Sequence, residues 1–383
     1  MKLFRTLPTS RLLLLLGSLV AALVAGVAIA VAASGGGPVP QPKALPDAIH
    51  DALTAPAPQG ITADISFTND LLPTSALTGQ AGSPLLSGAT GRLWTTNDGR
   101  GRLELQSNAG DVQVVWNGDR LTVYDATSNT VYRATLPKTA TGGAHQPPSV
   151  SKIADVLAKL GAHWAIGAAT PTDVGGQPAY DVRVSPEDPG GLLGSVELAW
   201  DALRGVPLRV AIYAKGTAKP VLELTATNVS YGAVPGSDVD VSPPAGAKVV
   251  DIPTGAGAGG APAQPVTGLA AVQAALPFTL VAPDTLGGLQ RTSVRLVGHG
   301  DSQGALIVYG DGLGAIAVLE RAAPVGGSDP FAALPAVSIA GATGHELATP
   351  LGTVVEWQRN GVATALAGSV APATAEADAA SLR

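Results

Sequence analysis

Polar and apolar residues alternate along several stretches of this chain. This repeat of two residues is typical of a β-strand that is buried on one face. Arg102-Leu-Glu-Leu-Gln and Asp111-Val-Gln-Val each place apolar side chains between charged or polar ones. Successive side chains of a strand point to opposite faces, so these stretches predict strands with one wet face and one buried face. The same pattern predicts strands at 61–68, 91–97, 120–125, 130–135, 177–185, 195–201, 207–214 and 221–231.

Short turn sequences separate many of these stretches. Asn97-Asp-Gly and Asn117-Gly have the composition of tight hairpin turns. Only two helices are predicted among the strands, at 46–53 and at 149–160, the second with Ser149 as its N-cap and Gly161 as the residue that ends it. Glycine (48 residues) and proline (31) are abundant and only 14% of residues are charged, which favours strands and loops over long helices. The pattern therefore predicts an antiparallel meander.

The alternation places many apolar side chains on one face of one wide sheet. With few helices to cover that face, the sheet must curl around its own side chains or around a ligand. Taken singly, each residue is typical of an ordinary core, and the two tryptophans among them could also clamp an acyl chain. The residues predicted to line a ligand site are Leu103, Leu105, Val112, Val114, Trp116, Val182, Val196, Leu198, Trp200, Leu208, Val210 and Ile212.

The N-terminal part of the sequence predicts export. Basic residues at positions 2, 5 and 11 precede an uncharged apolar run, Leu12 to Ala33, whose 22 residues are enough to span a bilayer. The positive-inside rule places the body of the protein outside the cytoplasm, on a single-pass anchor. Small-x-small patterns at 28–30 and 30–32 leave cleavage of this segment, and hence secretion, as the alternative.

Two Gly/Pro-rich stretches divide the rest of the chain. Residues 34–42 read as a tether and 253–265 as a flexible linker. The predicted organisation is an anchor at 1–33, a first domain at 43–252 and a smaller α+β domain at 266–383. The second domain is predicted to begin with a helix capped by Thr267 and to end with a helix from Ala373.

Several function classes are unsupported by the sequence. The formal net charge of −6 argues against a nucleic-acid partner, and the absence of cysteine excludes disulfides and thiolate metal sites. The five scattered histidines form no metal-ligand motif, and no cofactor is predicted. Gly300-Asp-Ser302-Gln-Gly matches the hydrolase pattern G-x-S-x-G, but a predicted strand follows where a helix is required. Ser149-Val-Ser-Lys152 matches S-x-x-K, and a helix cap explains it better.

Several motifs resemble a known superfamily. Val115-Trp-Asn-Gly-Asp-Arg-Leu-Thr-Val-Tyr-Asp and the following Ala126 to Tyr132 resemble the repeated hairpins of the LolA-like and RseB-like lipoprotein-carrier superfamily. Gly176 to Val184, Gly205 to Val210 and Val241 to Val249 resemble the later half of its actinobacterial LolA-like branch. Together these motifs cover about residues 45–252. Near the end of the chain, 354–363 looks like part of the C-terminal domain of RseB-type sensors.

The resemblance implies an α+β fold: a curved antiparallel half-barrel of about eleven strands with helices across its open side, followed by a small α+β domain. It also implies that acyl chains or hydrophobic peptide are held between sheet and helices, without catalytic residues. The lipid-binding lipoproteins of the superfamily carry an acylated cysteine, which this chain lacks, so the run from Leu12 to Ala33 would replace that anchor.

The expected function is therefore binding of a lipid, acyl chain or lipoprotein at the outer face of the cytoplasmic membrane. The first alternative is an RseB-like regulator that binds the exterior segment of another membrane protein, such as an anti-sigma protein. The second alternative, from a different class, is an esterase built on Ser302.

Overall fold

The computed structural model describes residues 39–71, 84–135, 147–187, 190–252, 266–298, 300, 303–323, 331–332 and 334–383. These residues form two β-sheets with separate apolar cores, accompanied by short helices. The α+β class and the curved antiparallel sheet predicted from the sequence are confirmed.

The first sheet has thirteen strands and spans the first predicted domain. Its strands are β1 (Gly60–Asn69), β2 (Ala89–Thr96), β3 (Gly101–Ser107), β4 (Gly110–Asn117), β5 (Arg120–Asp125), β6 (Thr130–Thr135), β7 (Trp164–Ile166), β8 (Thr170–Val174), β9 (Gln177–Pro186), β10 (Leu193–Asp201), β11 (Pro207–Ala214), β12 (Leu222–Tyr231) and β13 (Lys248–Ile252). Neighbouring strands follow the order β13-β6-β5-β4-β3-β2-β1-β12-β11-β10-β9-β7, and β8 pairs with β9. Most neighbours in space are neighbours in sequence, as hairpin connections require.

The strands at the two edges of this sheet were not predicted from the sequence. Strand β13 pairs with β6 in parallel, Val250 lying opposite Tyr132, and thereby extends one end of the meander. At the other end, β7 and β8 both pair with β9. These strands have only three to five residues. Such short segments are set by pairing with a neighbour and carry too little alternation to be recognised alone.

Four helices accompany the first sheet: α1 (Leu45–Thr54), α2 (Pro84–Ser87), α3 (Val150–Leu160) and α4 (Gly236–Val239). The side chain of Ser149 accepts a hydrogen bond from the backbone N–H of Lys152 at 3.4 Å, and Gly161 follows the last residue of α3. Both end signals are those that the sequence predicted. Helices α1 and α3 pack against each other.

The second sheet has eight strands. They are β14 (Thr285–Leu286), β15 (Leu289–Val297), β16 (Gly304–Tyr309), β17 (Ile316–Ala322), β18 (Ala336–Ile339), β19 (Ala342–Thr349), β20 (Gly352–Arg359) and β21 (Val362–Gly368). Helices α5 (Leu269–Ala274) and α6 (Pro372–Ser381) contribute Val272, Ala375 and Ala379 to the core of this sheet.

The predicted cap of the first helix in this region is wrong. Helix α5 begins after Gly268, whose φ is +92°, and no side chain caps it. Thr267 instead forms a β-bridge with Arg295 on β15. Backbone pairing with a sheet edge satisfies the polar groups of Thr267 there and competes with the capping conformation.

The predicted domain boundaries remain predictions, since the linker at 253–265 and residues 1–38 lie outside the described residues. Among the residues that the structure describes, no helix has the length and apolar character needed to cross a bilayer. The apolar run from Leu12 to Ala33 belongs to the part that is not described.

Candidate ligand-binding groove

Strand register places all the predicted ligand-site residues on one face of the first sheet, called here the inner face. Residues directly opposite in neighbouring strands point to the same side of a sheet. Val210 lies opposite Leu224 on one side and Leu198 on the other. Through β12, β1, β2 and β3, the same register connects this row to Leu103 and Val114.

One half of the inner face is filled by protein side chains. Leu103, Leu105, Val112 and Val114 are at most 2% exposed and belong to the core beneath α2. The Trp116 ring lies directly over Gly101, where a Cβ atom would come within 2.0 Å of a ring carbon. Strands β3 and β4 therefore contribute packing in this conformation, and a ligand role for these residues stays a prediction.

A second covered region lies beneath α1. Trp200, 7% exposed, packs with Tyr180 and Val182 of the sheet and with Ala48 of the helix. The Trp200 and Tyr180 ring centroids are 6.1 Å apart. Trp116 and Trp200 thus share a face, as predicted, but belong to separate clusters and do not form one clamp.

The open part of the inner face lies where β11 and β12 separate. These strands pair only between Arg209–Ile212 and Leu222–Thr225. A bulge in the pairing of β12 with β1, between Ala226 and Asn228, coincides with the separation. A bulge bends a strand and opens local pairing, and here it leaves a cleft between the two strands.

This cleft is a mostly apolar groove with a cavity volume of about 70 Å³. Thr95 and Arg209 are the polar residues among those that line it, and of the predicted site residues Leu208 and Val210 take part. The full lining consists of Ile61, Ala63, Ile65, Leu93, Thr95, Val206, Pro207, Leu208, Arg209, Val210, Leu224, Ala226 and Val229.

Hydrogen bonds hold the ends of the groove. The turn between β8 and β9 reaches Val229, because Val229 N–H donates to Gly175 O at 3.1 Å and Gln177 Nε2 donates to Val229 O at 3.0 Å. On the β10 side, the Tyr231 hydroxyl donates to Asp201 Oδ2 at 2.6 Å. Tyr231 is paired with Ile61, a lining residue. These contacts fix the separation of β11 from β12.

Beyond the groove, the inner face continues as an open apolar floor, defined here by Val196, Leu198 and Ile212. Leu198 is 40% exposed, and Val196 and Ile212 are half-buried. Leu198 lies opposite Val210, so the floor adjoins the groove. A leucine that stays exposed on the inside of a curved sheet is a candidate for ligand contact, because side chains and helices cover much of the rest of this face.

The opposite, outer face carries a network of charged groups that includes the guanidinium of Arg209, whose neighbours Leu208 and Val210 face the groove. Arg209 donates to Glu197 at 2.8 Å, to Glu223 at 2.6 Å and to the Tyr213 hydroxyl at 2.8 Å. Burial lowers the pKa of the Arg209 guanidinium, but the hydrogen bonds to Glu197, Glu223 and Tyr213 outweigh burial and raise it. These partners satisfy one another, so the network holds β10, β11 and β12 together behind the groove.

The described residues provide no catalytic arrangement for the two serine motifs or for the histidines. Ser302 and His299 lie outside the described residues. The Ser149 hydroxyl caps α3, and His50 Nδ1 lies 3.0 Å from Pro148 O, a structural contact between α1 and the start of α3. Within the described part of the chain, no group of three or more histidine and carboxylate side chains is placed to hold a metal ion.

The alternation of polar and apolar residues could not locate the groove, although the sequence of β12 contains one weak indication of it. The sequence of β12, Leu-Glu-Leu-Thr-Ala-Thr-Asn-Val-Ser-Tyr, loses its strict alternation at Thr225 to Asn228. That irregularity coincides with the bulge and with the end of the pairing to β11. Ile61, Ala63 and Ile65 of β1 were predicted to be in a strand but were not recognised as site residues.

No protein-family model and no curated protein matches the sequence. Among solved structures, the chain is similar to the MucA/MucB complex of Pseudomonas aeruginosa, with 17% identity over 87% of this chain and 95% of that chain and a TM-score of 0.43. A crystal structure of MucB in complex with MucA(peri) gives 17% identity over 85% and 93%, with a TM-score of 0.41. A LolA superfamily protein from Nitrosomonas europaea gives 9% identity over 50% and 93%, with a TM-score of 0.20.

Proposed function

We propose that the groove and the open floor together bind the hydrocarbon chain of a lipid or lipid-modified protein, outside the cytoplasm and without catalysis. The observation that supports this proposal is the apolar cleft between Leu208 on β11 and Ala226 on β12, which continues onto the exposed Leu198. Apolar surface left open inside a curved sheet is the usual setting of a small-molecule site. The run from Leu12 to Ala33 would hold the protein at the membrane.

The size of the groove limits how a hydrocarbon chain can bind. A cavity of about 70 Å³ is well below the ~300 Å³ or more of typical ligand pockets. It accommodates only a few methylene groups, which would contribute about 0.8 kcal/mol each. A chain of twelve carbons would have to continue along the floor over Val210, Leu198 and Ile212, or widen the cleft. The affinity would then depend on how many methylene groups the hydrocarbon chain buries along the floor.

Photo-labelling in a membrane tests this function. The full chain is reconstituted in vesicles that contain a phospholipid with a diazirine on its acyl chain, and labelled peptides are identified by mass spectrometry. We expect labelled residues on β1, β11 and β12 in addition to the anchor. Labelling confined to Leu12–Ala33 would contradict the proposal.

A pair of neighbouring substitutions supplies the control. Ala226→Trp fills the groove, whereas Thr225→Trp adds the same ring to the opposite face of the same strand, because Thr225 pairs with Arg209 and Ser66. We expect groove labelling to disappear in the first variant and to persist in the second. Equal labelling of the groove in both variants would mean that the acyl chain binds elsewhere.

The alternative occupant is a hydrophobic peptide segment of another membrane protein. The same apolar lining suits aliphatic side chains, and the two sheets contact each other, since Leu192 N–H donates to Ser369 Oγ at 2.8 Å. That contact gives the second sheet a position from which it could influence a segment bound to the first. An apolar peptide that carries a diazirine and labels β1, β11 and β12, in a protein that the acyl probe does not label there, would favour this alternative.

A further inference from the structure

Helix α3 exposes apolar residues at the protein surface, next to α1. It packs against α1, and Ile153 is its buried residue, yet Val156 is 49% exposed and Leu160 is 46% exposed. Residues four apart share one face of a helix, so Val156 and Leu160 form a continuous exposed stripe. An amphipathic helix normally buries such residues.

Lysines flank this stripe. Lys152 is one turn before Val156 on the same face, and Lys159 lies three residues after Val156. Both are exposed, and neither forms an ion pair with a described residue. Asp155 is also exposed beside them, which leaves this face of the helix with one net positive charge. An exposed apolar stripe bordered by lysines is typical of helices that lie in a membrane interface.

Two more exposed leucines lie where α1 meets the turn before β11. Gly205 packs directly against Ala52 of α1, with a Cβ position only 2.3 Å from Ala52 O. Leu53 and Leu203 lie within two residues of this contact and are 42% and 43% exposed. Val206, which follows Gly205, lines the groove. Leu53 and Leu203 thus lie next to the segment that lines the groove, and together with Val156 and Leu160 of the neighbouring helix α3 they are called here the apolar edge.

The length of the preceding chain limits where this edge can be. The described chain begins at Val39, and Gln41 O accepts a hydrogen bond from the Tyr180 hydroxyl at 2.6 Å, beneath α1. Only six peptide steps separate Val39 from Ala33, the end of the apolar run, and they reach at most about 20 Å when fully extended. A retained anchor therefore keeps the α1 side of the sheet close to the bilayer.

We propose that the apolar edge docks on the lipid surface of the membrane that holds Leu12–Ala33, so that the groove opens onto lipid. This inference rests on the anchored arrangement in the proposed function. Val156, Leu160, Leu53 and Leu203 would enter the interface, while Lys152 and Lys159 would meet lipid phosphates. An acyl chain could then pass from the bilayer to the groove without crossing water.

The absence of cysteine makes a direct test possible. Val156→Cys and Leu160→Cys are labelled with an environment-sensitive fluorophore in the full chain, reconstituted in vesicles of phosphatidylcholine and phosphatidylglycerol. Leu313→Cys is the matched control, because Leu313 is 39% exposed in the short turn that connects β16 to β17. We expect a lipid-borne nitroxide to quench positions 156 and 160 about two-fold more than position 313, and aqueous iodide to quench them less.

Three further outcomes decide the proposal. Lys152→Glu combined with Lys159→Glu should reduce lipid quenching at position 160, and unchanged quenching would remove the lysines from the interaction. Strong iodide quenching at 156 and 160 with no lipid quenching would overturn the docking surface, even if acyl photo-labelling of the groove persists. A full chain that does not float with the vesicles would also overturn docking, whereas groove binding could still be measured in solution.

Discussion

The Tyr231 hydroxyl donates a 2.6 Å hydrogen bond to Asp201, a carboxylate with no exposed surface, and so connects β12 to the end of β10 across β11. Asp201 also accepts from the backbone N–H groups of Leu203 and Arg204, both at 2.8 Å. Burial raises the pKa of the Tyr231 phenol, and the neighbouring Asp201 charge adds to this. The phenol therefore keeps its proton at neutral pH and donates this hydrogen bond to Asp201.

Tyr231→Phe should lower the free energy of unfolding by about 1–3 kcal/mol, because a buried carboxylate loses a partner. Tyr124→Phe is the control, since the Tyr124 hydroxyl makes an exposed 3.2 Å contact with Asn129 and its loss should cost less than about 0.5 kcal/mol. Urea unfolding of the two variants provides the comparison. Equal effects would show that the Asp201 contact does not support the β10–β12 connection.

Gly205→Ala should displace α1 from the sheet. Gly205 has φ +65°, and a Cβ there would clash with the backbone of Ala52; Gly216 has φ +78° with no atom nearby. Gly216→Ala thus measures the backbone cost alone, about 1–2 kcal/mol. The additional loss in Gly205→Ala, and a red shift of fluorescence as Trp200 loses its cover, should report the helix contact. Identical stabilities and spectra would contradict this packing.

Arg209→Ala should destabilise the first sheet strongly at neutral pH. It removes the cation that Glu197 and Glu223 share, although Glu197 keeps its hydrogen bonds from Arg183, so we expect a loss of about 2 kcal/mol. Arg92→Ala removes an exposed pair with Asp64 from the same sheet and should cost much less, because solvent screens exposed charges. Denaturant unfolding near pH 7 distinguishes the two, and similar losses would argue against the network.

Glu320 should make the second sheet less stable as the pH rises. Burial raises its pKa to about 7, although Val281 N–H donates to the carboxyl at 3.1 Å. In the unfolded chain a glutamate titrates near ~4.3, so between these values the folded state holds a proton that the unfolded state has lost. The stability contribution is intact below about pH 4 and falls by about 3 kcal/mol as the pH approaches 7.

Glu320→Gln should remove most of this slope and stabilise the sheet at pH 8, while Asp311→Asn, in an exposed turn, should leave it unchanged. A smaller slope remains, because burial also raises the pKa of Glu346 and Asp378 in the same region. Unfolding measured at pH 5 and pH 8 checks both variants. An unaltered slope in Glu320→Gln would show that this carboxyl does not control the pH response.

Regular alternation determined most of what could be read from the chain. It located β5, β6 and β11 to the residue, and local capping chemistry located α3 between Ser149 and Gly161. It also assigned Leu103, Val182 and Leu198 to one face, because a period of two fixes the side on which each residue lies. The sequence could not distinguish a covered residue of that face from an open one.

Only the tertiary structure decided which part of the inner face is free. Helices α1 and α2 cover Trp200 and Leu103, respectively, while a bulge at Ala226 and the short pairing of β11 with β12 open the groove beside Ile61. Local sequence specifies the period and the ends of elements through contacts within a few residues. The position of the groove depends on how strands and helices distant in sequence meet, which no local pattern encodes.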